Sequence, residues 1–186
     1  NSYPVLQWAT PVYTITTCAQ LQDVRSDLKG TYVLANDLNC DGYDFNGGAG
    51  FEPLGWGEGE GFMGSFDGQG HTISNITIDR PESDQVGLFG ITNDAYIANF
   101  TFDGNVHGHD YVGGVVGYAN DYSVISQVAS TGAVIGESGY VGGIVGLAGD
   151  NVDIMDVYNT GDIEGIVRVG GILGSTLHAT NIYRAY

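Results

Sequence analysis

From about residue 31 onward, apolar and polar residues alternate over short runs, and each run is closed by Gly, Asn or Asp. A period of two predicts half-buried strands rather than helices. The runs also recur. Tyr111-Val112-Gly113-Gly114-Val115-Val116-Gly117 returns as Tyr140-Val141-Gly142-Gly143-Ile144-Val145-Gly146 and as Val169-Gly170-Gly171-Ile172-Leu173-Gly174, with a shorter version, Val86-Gly87-Leu88-Phe89-Gly90, ahead of them. Their final glycines, Gly90, Gly117, Gly146 and Gly174, stand 27, 29 and 28 residues apart. A fixed period in that range marks a stack of repeats.

Each repeat offers three short extended segments, which predicts an all-β fold: a right-wound, three-faced parallel β-solenoid with coils of about 28 residues. On their apolar positions, Ile73 to Ile76, Ile97 to Phe100, Ile125 to Val128, Ile154 to Val157 and Ala179 to Ile182 align as one place in the coil. Val106, Val134 and Ile163, each followed two residues later by Gly108, Gly136 or Gly165, mark a second. Like positions then stack at strand spacing, roughly 4.8 Å. Two interior ladders follow, one of Ile76, Phe100, Val128, Val157 and Ile182, the other of Leu88, Val115, Ile144 and Ile172. The column Asn75, Asn99, Gln127, Asp156 and Asn181 reads as a ladder of stacked amides. Gly87, Gly90, Gly114, Gly117, Gly143, Gly146, Gly171 and Gly174 are expected where a coil turns with positive φ or where backbones approach closely. About five or six coils would make a rod roughly 25 to 30 Å long.

Ahead of the repeat the pattern changes. Residues 1–16 hold short β-prone runs broken by Pro4 and Pro11, which suits an edge or wrapping arm. Thr17 and Gln20 have capping-box spacing, Leu21, Val24 and Leu28 share a helical face, and Gly30 supplies a stop. The spacing predicts a helix over about 18–29 that covers the first coil, giving an arm (1–16), a capping helix (17–30) and a solenoid (31–186).

Composition narrows the partners. Five Lys and Arg against 22 Asp and Glu leave a net charge of −17, which repels nucleic acid and anionic lipid. No apolar run approaches the ~20 residues of a membrane span. The 31 glycines and 4 prolines lack collagen's rhythm, and 42% apolar residues suffice for a core. The only two cysteines, Cys18 and Cys40, either bridge in an oxidising compartment or stay as buried thiols. The bridge is favoured, with an extracellular or surface location. The scattered acids read as a solvated surface, with no cofactor beyond calcium at the Asp and Asn turns.

The words Gly-Leu-Phe-Gly and Val-Gly-Gly-Ile-Val-Gly on this period resemble the GLUG-motif repeat, and Phe62 through Ile78 resembles the segment that introduces such repeats. The resemblance spans about residues 17–184. It implies an extracellular structural or adhesin-like module of the bacterial surface-protein kind, with no catalytic residue to carry over. The last run, Asn181 to Tyr186, opens a coil without completing it and leaves an unpaired edge. Tyr3, Val5, Leu6 and Trp8 on the arm and Ile182, Tyr183 and Tyr186 at the open edge are therefore expected to form one head-to-tail interface between copies, by strand addition.

Chemistry-bearing clusters are few. His107-Gly108-His109-Asp110 places two imidazoles on one strand face, but its counterparts in later repeats keep no histidine. A Gly-x-Ser-x-Gly word is absent, so no enzyme is expected. Among the twelve tyrosines, Tyr111, Tyr140, Tyr158 and Tyr183 are read as one-coil-apart pairs, Tyr111 with Tyr140 and Tyr158 with Tyr183. They are the candidate contacts to a glycan or a cell surface.

Overall fold

Three parallel sheets wind about one axis. The computed structural model describes residues 11–57 and 59–186, so Tyr3, Val5, Leu6 and Trp8 lie outside the described residues. The largest sheet stacks Val12–Ile15, Thr31–Leu34, Ser65–Arg80, Tyr96–Gly108, Val124–Ser130, Val152–Asn159 and Thr180–Ala185 in that order. A second holds Phe89–Asn93, Val116–Asn120, Val145–Ala148 and Leu173–Thr176, and a third Val112–Gly113, Val141–Gly142 and Val169–Gly170. All neighbours are parallel, and from Phe89 and Tyr96 onward each is one repeat away. This is the expected parallel β-solenoid.

Register fixes the columns. Phe66, Ile97, Ile125, Ile154 and Ile182 stand one above another and mark about four turns, fewer than the five or six expected. Below Phe66 the chain is an irregular lead-in of helix, 3-10 turns and Asn/Gly loops. The column Val106, Val134, Ile163 falls as expected and extends down to Ile78, and carbonyls of Val115, Ile144 and Ile172 accept from Phe89, Val115 and Ile144 in the second ladder.

The first ladder is corrected at both ends. Phe66, not Ile73, pairs with Ile97, because Gly68, Gln69 and Gly70 stand as an insertion opposite Asn99. Ile182 pairs with Ile154, and Ala185 with Val157. The word at Ala179 to Ile182 merely imitates the repeat three residues early. The interior ladder is thus Phe100, Val128, Val157 and Ala185.

The polar column changes meaning too. Gln69, Asn99, Gln127, Asp156 and Arg184 all have positive φ, 54°, 62°, 55°, 55° and 49°. The left-handed residue at this column reverses the pleat in each coil, and the strand bends there. Short side chains that bond locally tolerate that conformation best, which explains most of the Asn, Asp and Gln. The amide Nδ2 of Asn99 donates to Asp67 Oδ1 at 3.0 Å and Arg184 pairs with Asp156, so cross-coil side-chain bonds exist, but the column is a bend and not an amide stack. Asn75 and Asn181 belong elsewhere, bonding Asn39 and Asp153.

At the amino-terminal end, helix Cys18–Asp23 continues only as a 3-10 turn, Val24–Ser26. It stops short of residue 29 because Ser26 Oγ bonds back to the Asp23 carbonyl and the Asp27 carboxylate takes the Lys29 N–H. Thr17 Oγ1 accepts from Gln20 N, while Gln20 Oε1 accepts from Thr16 N, a capping box shifted by one residue. Leu21 and Val24 are fully buried against the lead-in. Above them Phe62, Phe66, Phe89 and Phe100 form a chain of rings with centroids 5.0 to 5.5 Å apart. Each such ring contributes roughly 1.5–3 kcal/mol by burial. Cys18 and Cys40 are bonded, their Cα atoms 5.8 Å apart.

Candidate functional site

The repeat glycines show what the coils require of each other. None of the eight has positive φ; close approach is the reason. A Cβ on Gly114 would lie 2.4 Å from the Gly143 carbonyl oxygen, and one on Gly143 2.2 Å from that of Gly171. On Gly171 it would meet nothing within 4 Å. That glycine belongs to the last described coil of the stack.

In the last described coil the members of the interior columns are less covered than those before them. Val134, Val141, Ile144, Val145, Ile154 and Val157 are 0% exposed. Their successors Ile163, Val169, Ile172, Leu173, Ile182 and Ala185 are each half-buried or exposed, with Val169 and Ile182 at 45%. Tyr183 and Tyr186 are exposed beside them. At the opposite end Val12–Ile15 is the other edge of the same sheet, with Val12 and Tyr13 exposed. Among the described residues the sheet begins and ends on two unlike strands, Val12–Ile15 and Thr180–Ala185.

The expected glycan tyrosines separate. Tyr111 and Tyr140 stack face to face, centroids 5.4 Å apart and 16° between planes. Arg168 lies 4.9 Å above the Tyr140 ring and donates to its hydroxyl at 2.8 Å. Their faces are largely spent on each other. Beneath them Asp110 Oδ1 accepts from both Tyr111 N and Tyr140 N at 2.9 Å. Burial, with Asp110 second, raises the Tyr111 phenol above its usual pKa. Tyr158 and Tyr183 are not one coil apart, since Tyr183 pairs with Met155 and Tyr158 with Ala129. Slippage of the last segment by three residues accounts for the error.

Tyr158 instead closes a furrow that sequence reasoning missed. The bend in each coil is concave outward, and repeated at one column it makes a groove parallel to the axis, of about 760 Å³. Gln69, Asn99, Gln127 and Asp156 run along it, and Thr101, Ala129 and Tyr158, stacked in register, form its other side. The residues involved sit a whole coil apart in the chain, so no local word announces them.

The histidines take carboxylate partners from neighbouring coils. His107 Nδ1 is 2.8 Å from Asp79 and its Nε2 2.7 Å from Glu137; His109, His178 and His71 sit 2.8, 3.0 and 3.1 Å from Asp84, Asp150 and Asp37. The Glu137 bond, then Asp79, raises His107 above its ordinary pKa, and Asp84 does the same for His109. Among the described residues no group of three or more His, Cys, Asp and Glu is arranged to hold a metal ion. The pairs are inter-coil clasps. For His107 and His109 the raised folded pKa means that the stabilisation is complete below the unfolded value of about 6.5 and fades as pH climbs through the folded value. The melting temperature should therefore fall between pH 6 and pH 8, and fall less in His107→Gln; equal slopes would remove the clasp.

Among the described residues no helix is long and apolar enough to cross a membrane. Residues 137–164 match the family model described as the GLUG motif. The chain is 37% identical over 136 residues to halomucin of Haloquadratum walsbyi, covering 68% of this chain and 2% of that protein. It is 33% identical over 124 residues to a protein of Evansella cellulosilytica, by name only a Gly-rich membrane protein, covering 63% and 14% respectively. The chain thus spans a small fraction of either relative. A solved structure from Bacteroides ovatus, by name only an immunoglobulin A1 protease, superposes with a TM-score of 0.66 at 24% identity, over 91% of this chain and 63% of that one. That likeness concerns the fold. Repeat words, stacked register and family match agree: the chain is a parallel β-solenoid carrying the GLUG motif.

Proposed function

We propose that this chain is a non-catalytic, extracellular structural module that extends by stacking end to end, copy upon copy. What supports the reading is how the coils cover one another: Val134, Val141, Ile144, Val145, Ile154 and Val157 are fully buried once a further coil lies on them, and their successors in the last described coil, which includes the strand Thr180–Ala185, need one more coil, supplied in this reading by another copy. The edge that would meet that strand, Val12–Ile15, belongs to the same sheet, so a head-to-tail contact continues the parallel ladder. Unlike ends joined this way propagate instead of closing. The acidic surface keeps the flanks of such a fibre apart. A surface or extracellular location accords with the disulfide and with relatives named as a mucin and as a membrane protein.

Sedimentation velocity over a concentration series tests it. The chain should shift to larger species as concentration rises. Ile182→Lys, which plants a charge on the open edge, and Gly171→Ala, whose Cβ points to where the next carbonyl would lie, should both remain single particles with unchanged circular dichroism. A chain that stays monodisperse throughout, or variants that associate as the parent does, would refute end-to-end stacking.

A further inference from the structure

The axial groove has no part in end-to-end stacking, yet it is a long concavity that the repeat builds. We infer that it is a binding site for a neutral, linear polysaccharide lying parallel to the solenoid axis.

Its shape comes first. Because the left-handed residue recurs at one column, the furrow crosses the coils instead of following the chain, and its volume of about 760 Å³ is within the range of real ligand sites. Side chains along it repeat at coil spacing, about 4.8 Å, so an occupant that makes the same contact in each coil must itself repeat on that scale and be extended. Sugar rings joined through opposite sides of the ring advance by a comparable step. From Gln69 to Asp156 the groove crosses four coils, room for about four such rings.

Chemistry then selects among extended polymers. Gln127 presents an amide that both donates and accepts, and Gln69 and Asn99, which each give one amide hydrogen to Asp67, keep a second hydrogen and a carbonyl oxygen, a set that suits paired hydroxyls. Thr101 adds a hydroxyl on the opposite side, and the small Ala129 between Thr101 and Tyr158 leaves a depression in the wall. Tyr158, 45% exposed, offers a ring to stack against a sugar face. A peptide strand is a poor fit, because the backbone donors and acceptors here are committed to the parallel ladder between coils, leaving no edge to augment.

Charge decides the last point. Although the chain carries −17 overall, Asp156 is the one carboxylate among the lining residues, and Arg184 of the next coil pairs with it. Burial does not favour this neutrality, since the groove is open to water. An acidic polysaccharide would meet the repulsive field of the molecule while Arg184, the cation beside the groove, is committed to Asp156; a neutral one meets amides.

The test uses four oligosaccharide probes with the 15N-labelled chain: cellohexaose, mannohexaose and chitohexaose as neutral ligands, and hexagalacturonate as an anionic one of equal length. The side-chain amide signals of Gln69, Asn99 and Gln127 should move with at least one neutral hexaose, with affinity rising up to about four sugars and then levelling. Tyr158→Ala should weaken that binding about tenfold. Gln127→Glu, which adds a charge at an exposed groove residue of the same shape, should weaken it at least as much with an unchanged melting temperature. Ile182→Lys, which blocks stacking, should bind as the parent does, so that failure of the fibre reading leaves this result standing. No movement of those amides with any neutral probe, tighter binding of hexagalacturonate, or full affinity in Tyr158→Ala with shifts at Tyr111 and Tyr140 would each overturn the site.

Discussion

Replacing Gly143 by alanine should destabilise the chain by about 3 kcal/mol, at the upper end for overpacking, whereas the same change at Gly171 should shift stability by no more than about 0.5 kcal/mol. Both glycines occupy one column of the coil. At Gly143 the new Cβ would press on the Gly171 carbonyl oxygen at 2.2 Å and on Asn159 Cγ at 2.5 Å. The first of these is backbone, held in the inter-coil ladder, so relief requires parting two coils. Asn159 cannot yield freely either, as its Nδ2 donates to the Gly161 carbonyl and its residue is packed inside the stack. At Gly171 the added methyl has no neighbour within 4 Å, and its restriction of the unfolded chain acts in the stabilising direction. Thermal unfolding of dilute protein reads the difference as roughly 6–12 °C for Gly143→Ala. Equal melting temperatures for the two variants would show that the column glycines are not there for close approach.

That pair of residues also shows what could be read without coordinates. The recurrence of Gly117, Gly146 and Gly174 carries the period, and Val106, Val134 and Ile163 stack as their spacing indicates, because interior positions must be apolar in every coil and the pattern is redundant. Redundancy fails at the ends. The Gly68, Gln69, Gly70 insertion displaces the alignment below Tyr96–Gly108, and at the last coil a chance word at Ala179 to Ile182 outcompetes the true one, Ile182 to Ala185.

Backbone conformation was the larger blind spot. A polar column is compatible with a side-chain ladder or with a left-handed bend, and composition alone does not separate them when the bend also admits Gln127 and Arg184. Once the bend is known, the groove follows, since four bends in register make a concavity that no single coil has. The tyrosines illustrate the converse. Tyr111 and Tyr140 were legible as neighbours, but Arg168 over Tyr140 comes from the next coil and uses a ring face that the sequence leaves free.

Breaking the disulfide should be the other large effect, and it should be felt at one pole. Cys18 opens the capping helix and Cys40 follows the strand Leu38–Asn39, so the bond ties the cover to the lead-in beneath the first regular coil. Closing a loop across a sequence separation of 22 residues withholds about 3 kcal/mol of entropy from the unfolded chain. Both sulfurs are buried, Cys18 8% and Cys40 2% exposed, so a double Cys→Ala variant also loses packing while avoiding a free thiol. A drop of roughly 6–12 °C in melting temperature is expected. In a stacked fold each coil is supported by its neighbours, and the loss should be graded along the axis. Hydrogen exchange in Thr31–Leu34 should accelerate far more than in Val152–Asn159, which lies several coils away. Uniform acceleration along the chain would mean that the solenoid unfolds as one cooperative unit, and a change below about 2 °C would mean that Leu21 and Val24 hold the cap by burial alone.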